Sequence, residues 1–349
     1  MDALRRYFHS GALLPVLRLS LQMCIDELGD RTGQVFFEQI LHGTWQKEFP
    51  VSDAQLRKIV KLVVDELTDQ RLDIPDELMD EYLMVMNSKK GVSGSKLSSE
   101  WDIPAENAQF RVFQALGGVP AHVREAGNDF VVLRVAEALS DIPFVCWEAG
   151  FFLAEHALMH PEAFQGKCIV ELGAGAGITA IPICKFLDVP SYVATEGLAS
   201  AVHNLENNML LNKLSPEQYQ ASFLNWVDYS PEDLHSCDLI LAADVVYDPD
   251  ITSSLAQVTA DLLRASTHPS TCRALFALTR RSPDTQKRFL DALQLEQGLQ
   301  VRVEEIQPEE EGAGPPRPFH YAYNQGHRFV VDLWHVSLGP GIGERDISP

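Results

Sequence analysis

The stretch Cys168-Ile-Val-Glu-Leu-Gly-Ala-Gly-Ala-Gly-Ile-Thr179 constrains this chain more than any other. An apolar run of strand length stops at Leu172, glycines alternate at 173, 175 and 177, and a helical run over 180–187 follows at once. Glycines in that pattern let the backbone approach a ligand, and the helix they open turns its first amides toward the same place. A strand, a tight glycine turn and a helix in direct succession is the opening unit of a parallel sheet wound by helices.

The rest of the second half repeats that alternation. Strands are expected at 168–172, 191–195, 219–224, 239–243, 274–279, 301–306 and 329–335, with helical stretches between most of them. Between the last two lies 307–328, where Glu309-Glu-Glu311 and Gly312-Ala-Gly-Pro-Pro-Arg-Pro318 rule out a crossover helix. That connection is expected to be a long loop joining antiparallel neighbours. Upstream, Val35–Leu41, 56–67 and 77–84 carry apolar residues at three-to-four spacing and predict a small helical region. The division expected is 1–90 helical, 91–139 linker and lead-in β segments, with a flexible Gly/Ser/Lys stretch at 87–96, and 140–349 the wound sheet.

Two nucleoside cofactors use a turn of this kind. A dinucleotide fingerprint asks for glycine at the sixth position of G-x-G-x-x-G, and here that position is Ile178. Glu171 stands two residues before the first glycine, where its carboxylate would repel a pyrophosphate but suits a cofactor bearing an amine and a sulfonium. The motif therefore favours S-adenosyl-L-methionine over NAD. Glu196 ends the next strand, 25 residues beyond Glu171, where a carboxylate can accept both ribose hydroxyls of either cofactor. Trp226 follows the third strand and offers a wall for an adenine. Asp244 is delivered to the end of the fourth by Leu241-Ala-Ala, with Tyr247 three residues on. Asp244 could orient a cationic amine in the shared crevice or cap the segment that follows it.

The sequence Asp244-Val-Val-Tyr247 resembles the D-x-x-Y signature of methyltransferase family 16, the seven-β-strand protein lysine methyltransferases, and Val145-Cys-Trp-Glu-Ala-Gly150 resembles that family's Trp-containing segment ahead of the first strand. The resemblance runs from about residue 140 to 336. It implies an α/β fold with a seven-stranded, Rossmann-like class I methyltransferase sheet, an antiparallel last strand and an N-terminal helical extension. It also implies S-adenosyl-L-methionine as cofactor, with Trp147 lining its site, Glu171, Gly173, Ala174 and Gly175 at the methionine end, Glu196 on the ribose, and Trp226 and Ala243 flanking the adenine. Asp244 and Tyr247 would be the catalytic pair, capturing the lysine and walling its channel. Within the family, the segments Ile40-Leu-His-Gly43, Asn208-Met-Leu-Leu-Asn212, 242–247 and 276–280 most resemble members that methylate eukaryotic elongation factor 2, which implies that protein as substrate. Two positions depart from the pattern: the strand-two acid is Glu196 where Asp is usual, and Asn225 stands where an acid often precedes the Trp.

Composition narrows the partners. With 28 Lys and Arg against 49 Asp and Glu, the net charge is −21, which opposes nucleic acid and anionic membranes and fits a basic protein partner. Six scattered cysteines without close pairs or zinc-type spacing read as free thiols in a reducing compartment, with no metal. Arg18 breaks the apolar run at 11–17, no small-residue cleavage site follows, and no apolar stretch reaches the roughly 18 residues of a membrane span. The expectation is a cytoplasmic, monomeric enzyme on a protein substrate. A nicotinamide-dependent oxidoreductase and a catalytically silent interaction protein on the same fold are the rival readings. Cofactor binding separates the first of these, and methyl transfer the second.

Overall fold

The computed structural model describes residues 1–10, 14–87, 108–136, 140–306, 317–319, 322 and 331–339. Residues 88–96 of the expected linker, 308–316 of the acidic Pro/Gly loop and 329–330 of the last strand lie outside the described residues.

Six helices open the chain: α1 (Asp2–Ser10), α2 (Leu14–Leu28), α3 (Thr32–Phe36, continued by a π-turn over Phe37–Leu41), α4 (Thr44–Glu48), α5 (Asp53–Asp69) and α6 (Asp76–Asn87). Helix α5 shows why. Ser52 caps it by accepting the Gln55 amide, Asp53 complements the positive end, and Ile59, Val60, Val63, Val64 and Leu67 form one buried stripe. That stripe joins Leu4, Phe8, Leu17, Leu21, Phe36 and Ile40 in a core of the helices' own.

A two-stranded antiparallel ribbon follows, β1 (Ala108–Gln114) and β2 (Phe130–Ala136), with the short helix α7 (Ala121–Glu125) between them. The N-terminal helices rest on this ribbon. Trp45 packs on Phe130 and Phe49 on Phe110, around a small apolar patch that includes Val112 and Val132. Next come α8 (Glu148–Met159), β3 (Cys168–Leu172), α9 (Ala180–Phe186), β4 (Ser191–Glu196), α10 (Ala199–Leu211), β5 (Tyr219–Phe223), β6 (Leu239–Ala243), α11 (Thr252–Ala265), β7 (Arg273–Thr279), α12 (Pro283–Leu295), β8 (Leu299–Glu305) and β9 (Val331–Leu338).

The last seven strands form one sheet in the order β5-β4-β3-β6-β7-β9-β8, with β9 inserted antiparallel to both neighbours. The antiparallel pairing expected of the last two strands is therefore present. Alternation along the strands splits the core in two. Ile169, Leu239 and Leu241 face α8, α9 and α10, whereas Val170, Leu172, Ile240 and Ala242 face α11 and α12. The chain starts at β3, winds out to β4 and β5, and returns to β6 on β3's other side. Ligands of open α/β sheets bind beyond the carboxyl ends of the strands at such a reversal.

Candidate functional site

The glycine turn lies at that reversal. Gly173, Gly175 and Gly177 all have positive φ, at 68°, 59° and 93°. At Gly173 the need is also spatial: a Cβ there would stand 2.9 Å from Val245 Cγ1 and 3.3 Å from the Trp226 ring. Trp226 thus lies across the turn. Its buried Nε1 has no hydrogen-bond partner among the described residues. From the other side Pro143, in the turn Ile142–Phe144 that leads into α8, brings its carbonyl against Gly175, and Trp147 Nε1 donates to the Ile142 carbonyl at 3.1 Å.

The two strand-end glutamates differ. Glu171 points to the α8–α10 face of the sheet and is only 1% exposed. Its carboxylate accepts from Tyr192 Oη at 2.8 Å, and burial pushes its pKa up to about 7 against the pull of the Tyr192 and Thr179 hydroxyls. It underlies the turn instead of opening into the crevice, so its effect on a bound cofactor runs through the turn. Glu196 reaches the turn directly, accepting the Gly175 amide at 2.7 Å and the Gly197 amide at 3.1 Å. Burial raises its pKa while those two amides lower it.

Asp244 is the most heavily bonded side chain of the site. Its backbone is left-handed (φ 53°), and its amide donates to the Ala277 carbonyl. Oδ1 accepts the Thr279 amide at 2.9 Å, and Oδ2 accepts the Thr279 hydroxyl at 3.0 Å and the Ala149 amide at 3.3 Å. The helix it caps is therefore α8, which precedes the sheet, and not the following segment named in the capping alternative. One cation also reaches it: Arg281 Nη2 lies 3.4 Å from Oδ2, pairs with Glu148, and sits with its guanidinium carbon 4.8 Å above the Trp147 ring. Ala243 ends β6 beside Ala277. Tyr247 stands 55% exposed at the rim, its phenol pKa raised by partial burial and by the Glu196 and Asp248 carboxylates.

The strand ends thus bring the glycine turn, Glu196, Trp226, Ala243, Asp244, Tyr247 and Trp147 around one crevice and leave Glu171 beneath it. Sequence reasoning missed Thr279, Arg281 and Glu148, which complete the Asp244 cluster, and Asn208, which bonds the Ala176 carbonyl from α10. Thr279 ends the apolar strand β7 and Arg281 lies two residues beyond it, much the same signal that singled out Asp244. Among the described residues no group of three or more His, Cys, Asp or Glu could hold a metal ion, and the six cysteines are free.

The sheet order, with its antiparallel last strands, is the class I methyltransferase fold that the motifs implied. Residues 129–296 match the family model described as lysine methyltransferase. Over 161 residues the chain is 34% identical to the mouse protein-lysine N-methyltransferase EEF2KMT, an alignment covering 43% of this chain and 48% of the relative. A second relative, the protein-lysine N-methyltransferase EFM3 of Chaetomium thermophilum, is 27% identical over 42% of this chain and 45% of its own length. Arabidopsis thaliana calmodulin-lysine N-methyltransferase is 26% identical, over 46% and 53%. The chain therefore spans about half the length of the curated relatives it matches, and residues before 129 lie outside the family match. The resemblance to the lysine methyltransferases read from the motifs is borne out.

The residues present fit S-adenosyl-L-methionine. Side chains at 173 would fill the space beside Trp226, a buried indole N–H lacks a partner, and Glu196 is a carboxylate acceptor at the end of the second wound strand.

Proposed function

We propose that the chain is an S-adenosyl-L-methionine-dependent protein-lysine N-methyltransferase whose substrate is elongation factor 2. The observation that carries the reading is the meeting of the left-handed glycine turn, Glu196 and Asp244 at the carboxyl ends of three strands around the sheet's reversal. A dinucleotide enzyme would need glycine where Ile178 packs, and the family match is to lysine methyltransferases. Bound cofactor supplies an activated methyl group with a good leaving group, so the protein's task is alignment, which can contribute about 7–11 kcal/mol of barrier lowering.

Gly173 and Gly175 bring backbone to the methionine end, Glu196 accepts the ribose hydroxyls, and Trp226 and Ala243 flank the base. Asp244, held in place by Thr279 and Ala149, supplies the negative charge that draws an incoming ammonium to the site. A carboxylate alone would hold that amine charged and non-nucleophilic. Arg281 beside Asp244 offsets this, favouring proton loss to solvent before transfer. Tyr247 walls the lysine channel. The similarity to EEF2KMT relatives supports elongation factor 2 as substrate, and the −21 net charge supports a basic surface on it. The reading extends to a monomeric, cytoplasmic enzyme; among the described residues no helix is long and apolar enough to cross a membrane.

Two measurements test the reading. Calorimetry is expected to show binding of S-adenosylhomocysteine without NAD binding, lost in a folded Gly173→Arg variant. Radiolabelled cofactor is expected to label elongation factor 2 and not calmodulin. Absence of S-adenosylhomocysteine binding would overturn the enzyme reading, and label on calmodulin alone would overturn the substrate.

A further inference from the structure

Helix α10 and its C-cap carry asparagines at 204, 208 and 212, one buried stripe at four-residue spacing. On a helix that spacing advances about 6 Å, close to the two-residue step of about 6.7 Å along a strand. The stripe uses this match to bond the free edge of β2 as another strand would. Asn212 Oδ1 accepts the Val132 amide at 2.9 Å and its Nδ2 donates to the Val132 carbonyl at 2.6 Å. Asn208 does the same two strand residues on, accepting the Arg134 amide at 2.8 Å and donating to the Arg134 carbonyl at 3.2 Å.

Asn208 makes one contact that Asn212 does not. Its Nδ2 also donates to the Ala176 carbonyl at 2.9 Å, inside the glycine turn. Both of its N–H groups and one acceptor position are then committed in a fully buried site. Flipping the amide would set its oxygen against two carbonyls. The turn's other fixed points, Ala174 amide to Thr195 carbonyl and Gly175 amide to Glu196, come from the neighbouring strand β4. Asn208 alone among these ties the turn to the ribbon, and the ribbon carries the N-terminal helices through Trp45, Phe49, Phe110 and Phe130.

We propose that Asn208 is a positioning residue for the cofactor turn, fixing Ala176 against β2 so that the seating of the N-terminal half sets cofactor affinity. The proposal rests on the reading of the turn as an S-adenosyl-L-methionine site. Asn212, the C-cap of the same helix, is the internal control, with the same ribbon and the same kind of bonds to it but no contact with the turn.

The test compares Asn208→Ala with Asn212→Ala in the full chain. Both are expected to lower Tm. Only Asn208→Ala is expected to weaken S-adenosylhomocysteine binding in calorimetry, by tenfold or more, and to raise KM for the cofactor while leaving KM for the protein substrate unchanged. Asn212→Ala is expected to keep affinity within twofold. Equal affinities in the two variants, whether intact or equally weakened, would overturn the proposal and leave Asn208 a purely structural residue.

Should Asn208→Ala fail to fold, amide hydrogen exchange on the unaltered protein decides the matter. The Arg134 amide, bound to Asn208, is expected to gain several-fold protection when S-adenosylhomocysteine is added, and the Val132 amide, bound to Asn212, is not. Equal responses would overturn the proposal. If the unaltered protein binds no S-adenosylhomocysteine, it is the cofactor reading that fails.

Discussion

Asp244 adopts a left-handed backbone, tolerable for Asp at modest cost, and that turn aims its carboxylate back at both β7 and α8. A residue with that many framework bonds cannot be removed cleanly. Asp244→Ala leaves the Thr279 and Ala149 amides without their acceptor, so it should cost about 2–4 kcal/mol of stability in addition to turnover. Asp244→Asn keeps one acceptor oxygen and should hold most of the stability while still losing activity. Urea unfolding of the two variants checks this; equal stability in both would show the bonds to be dispensable. Glu171 gives a pH-dependent companion. Its folded pKa of about 7 lies above the ordinary carboxylate value of 4.5, so its contribution to stability is full below pH 4.5 and is lost as pH rises through 7. Glu171→Gln, which cannot ionise, should therefore match the unaltered protein at pH 4.5 and exceed it at pH 8, by on the order of 3 kcal/mol. Melting curves at the two pH values would show the gap opening. A gap that narrows toward pH 8 would contradict the assignment.

At the scale of elements, α1 carries a switch of opposite sign. His9 is buried between Phe8 and Trp45, and neither ring nitrogen has a hydrogen-bond partner among the described residues. Burial, aided by Arg5, pushes its pKa down to about 3. The stability it permits is full above the unfolded value of 6.5 and falls as pH drops from there toward 3. Trp45 fluorescence should report loosening of α1 below pH 6 in the unaltered protein and much less of it in His9→Leu. Identical acid profiles would remove His9 from the effect.

The same contrast between side-chain chemistry and chain pattern explains what was legible beforehand. The strands at 168–172 and 239–243 are found with their expected limits because apolar runs bounded by Gly, Asp or Pro have only one way to fit a doubly covered sheet. The strand-end positions of Glu196 and Asp244 were readable for a related reason: each closes an apolar run. The stripe at Asn204, Asn208 and Asn212 was not, because a polar residue on a helix reads as solvent-facing until the partner strand, some 70 residues away, is known. Glu171 was read as facing a ligand because its strand position gives a face of the sheet but not what covers that face.

For the molecule as a whole, the question is whether the N-terminal helices select the substrate or complete the fold. They have their own core, which suggests autonomy. Yet the ribbon they sit on has few other contacts for its outer face: Phe110, Val112 and Val132 are at most 5% exposed, covered by Trp45 and Phe49 from α4 and its exit and by Leu211 of α10. Exposing three such side chains forfeits about 1.5–3 kcal/mol each, a sum comparable with the 5–15 kcal/mol that holds a typical domain folded. A chain beginning at Gly94 should therefore be insoluble or bind hydrophobic dyes, and the full-length chain carrying Trp45→Ala should show the same defect in milder form, as a lowered Tm with a weakened grip on S-adenosylhomocysteine. If the helices serve only to choose a substrate, the shortened chain will instead be soluble, will bind S-adenosylhomocysteine as tightly as the full chain, and will fail only on intact elongation factor 2. Solubility, dye binding and calorimetry on the one shortened chain tell the two outcomes apart, and the buried aromatic contacts at Phe110 and Phe130 favour the first.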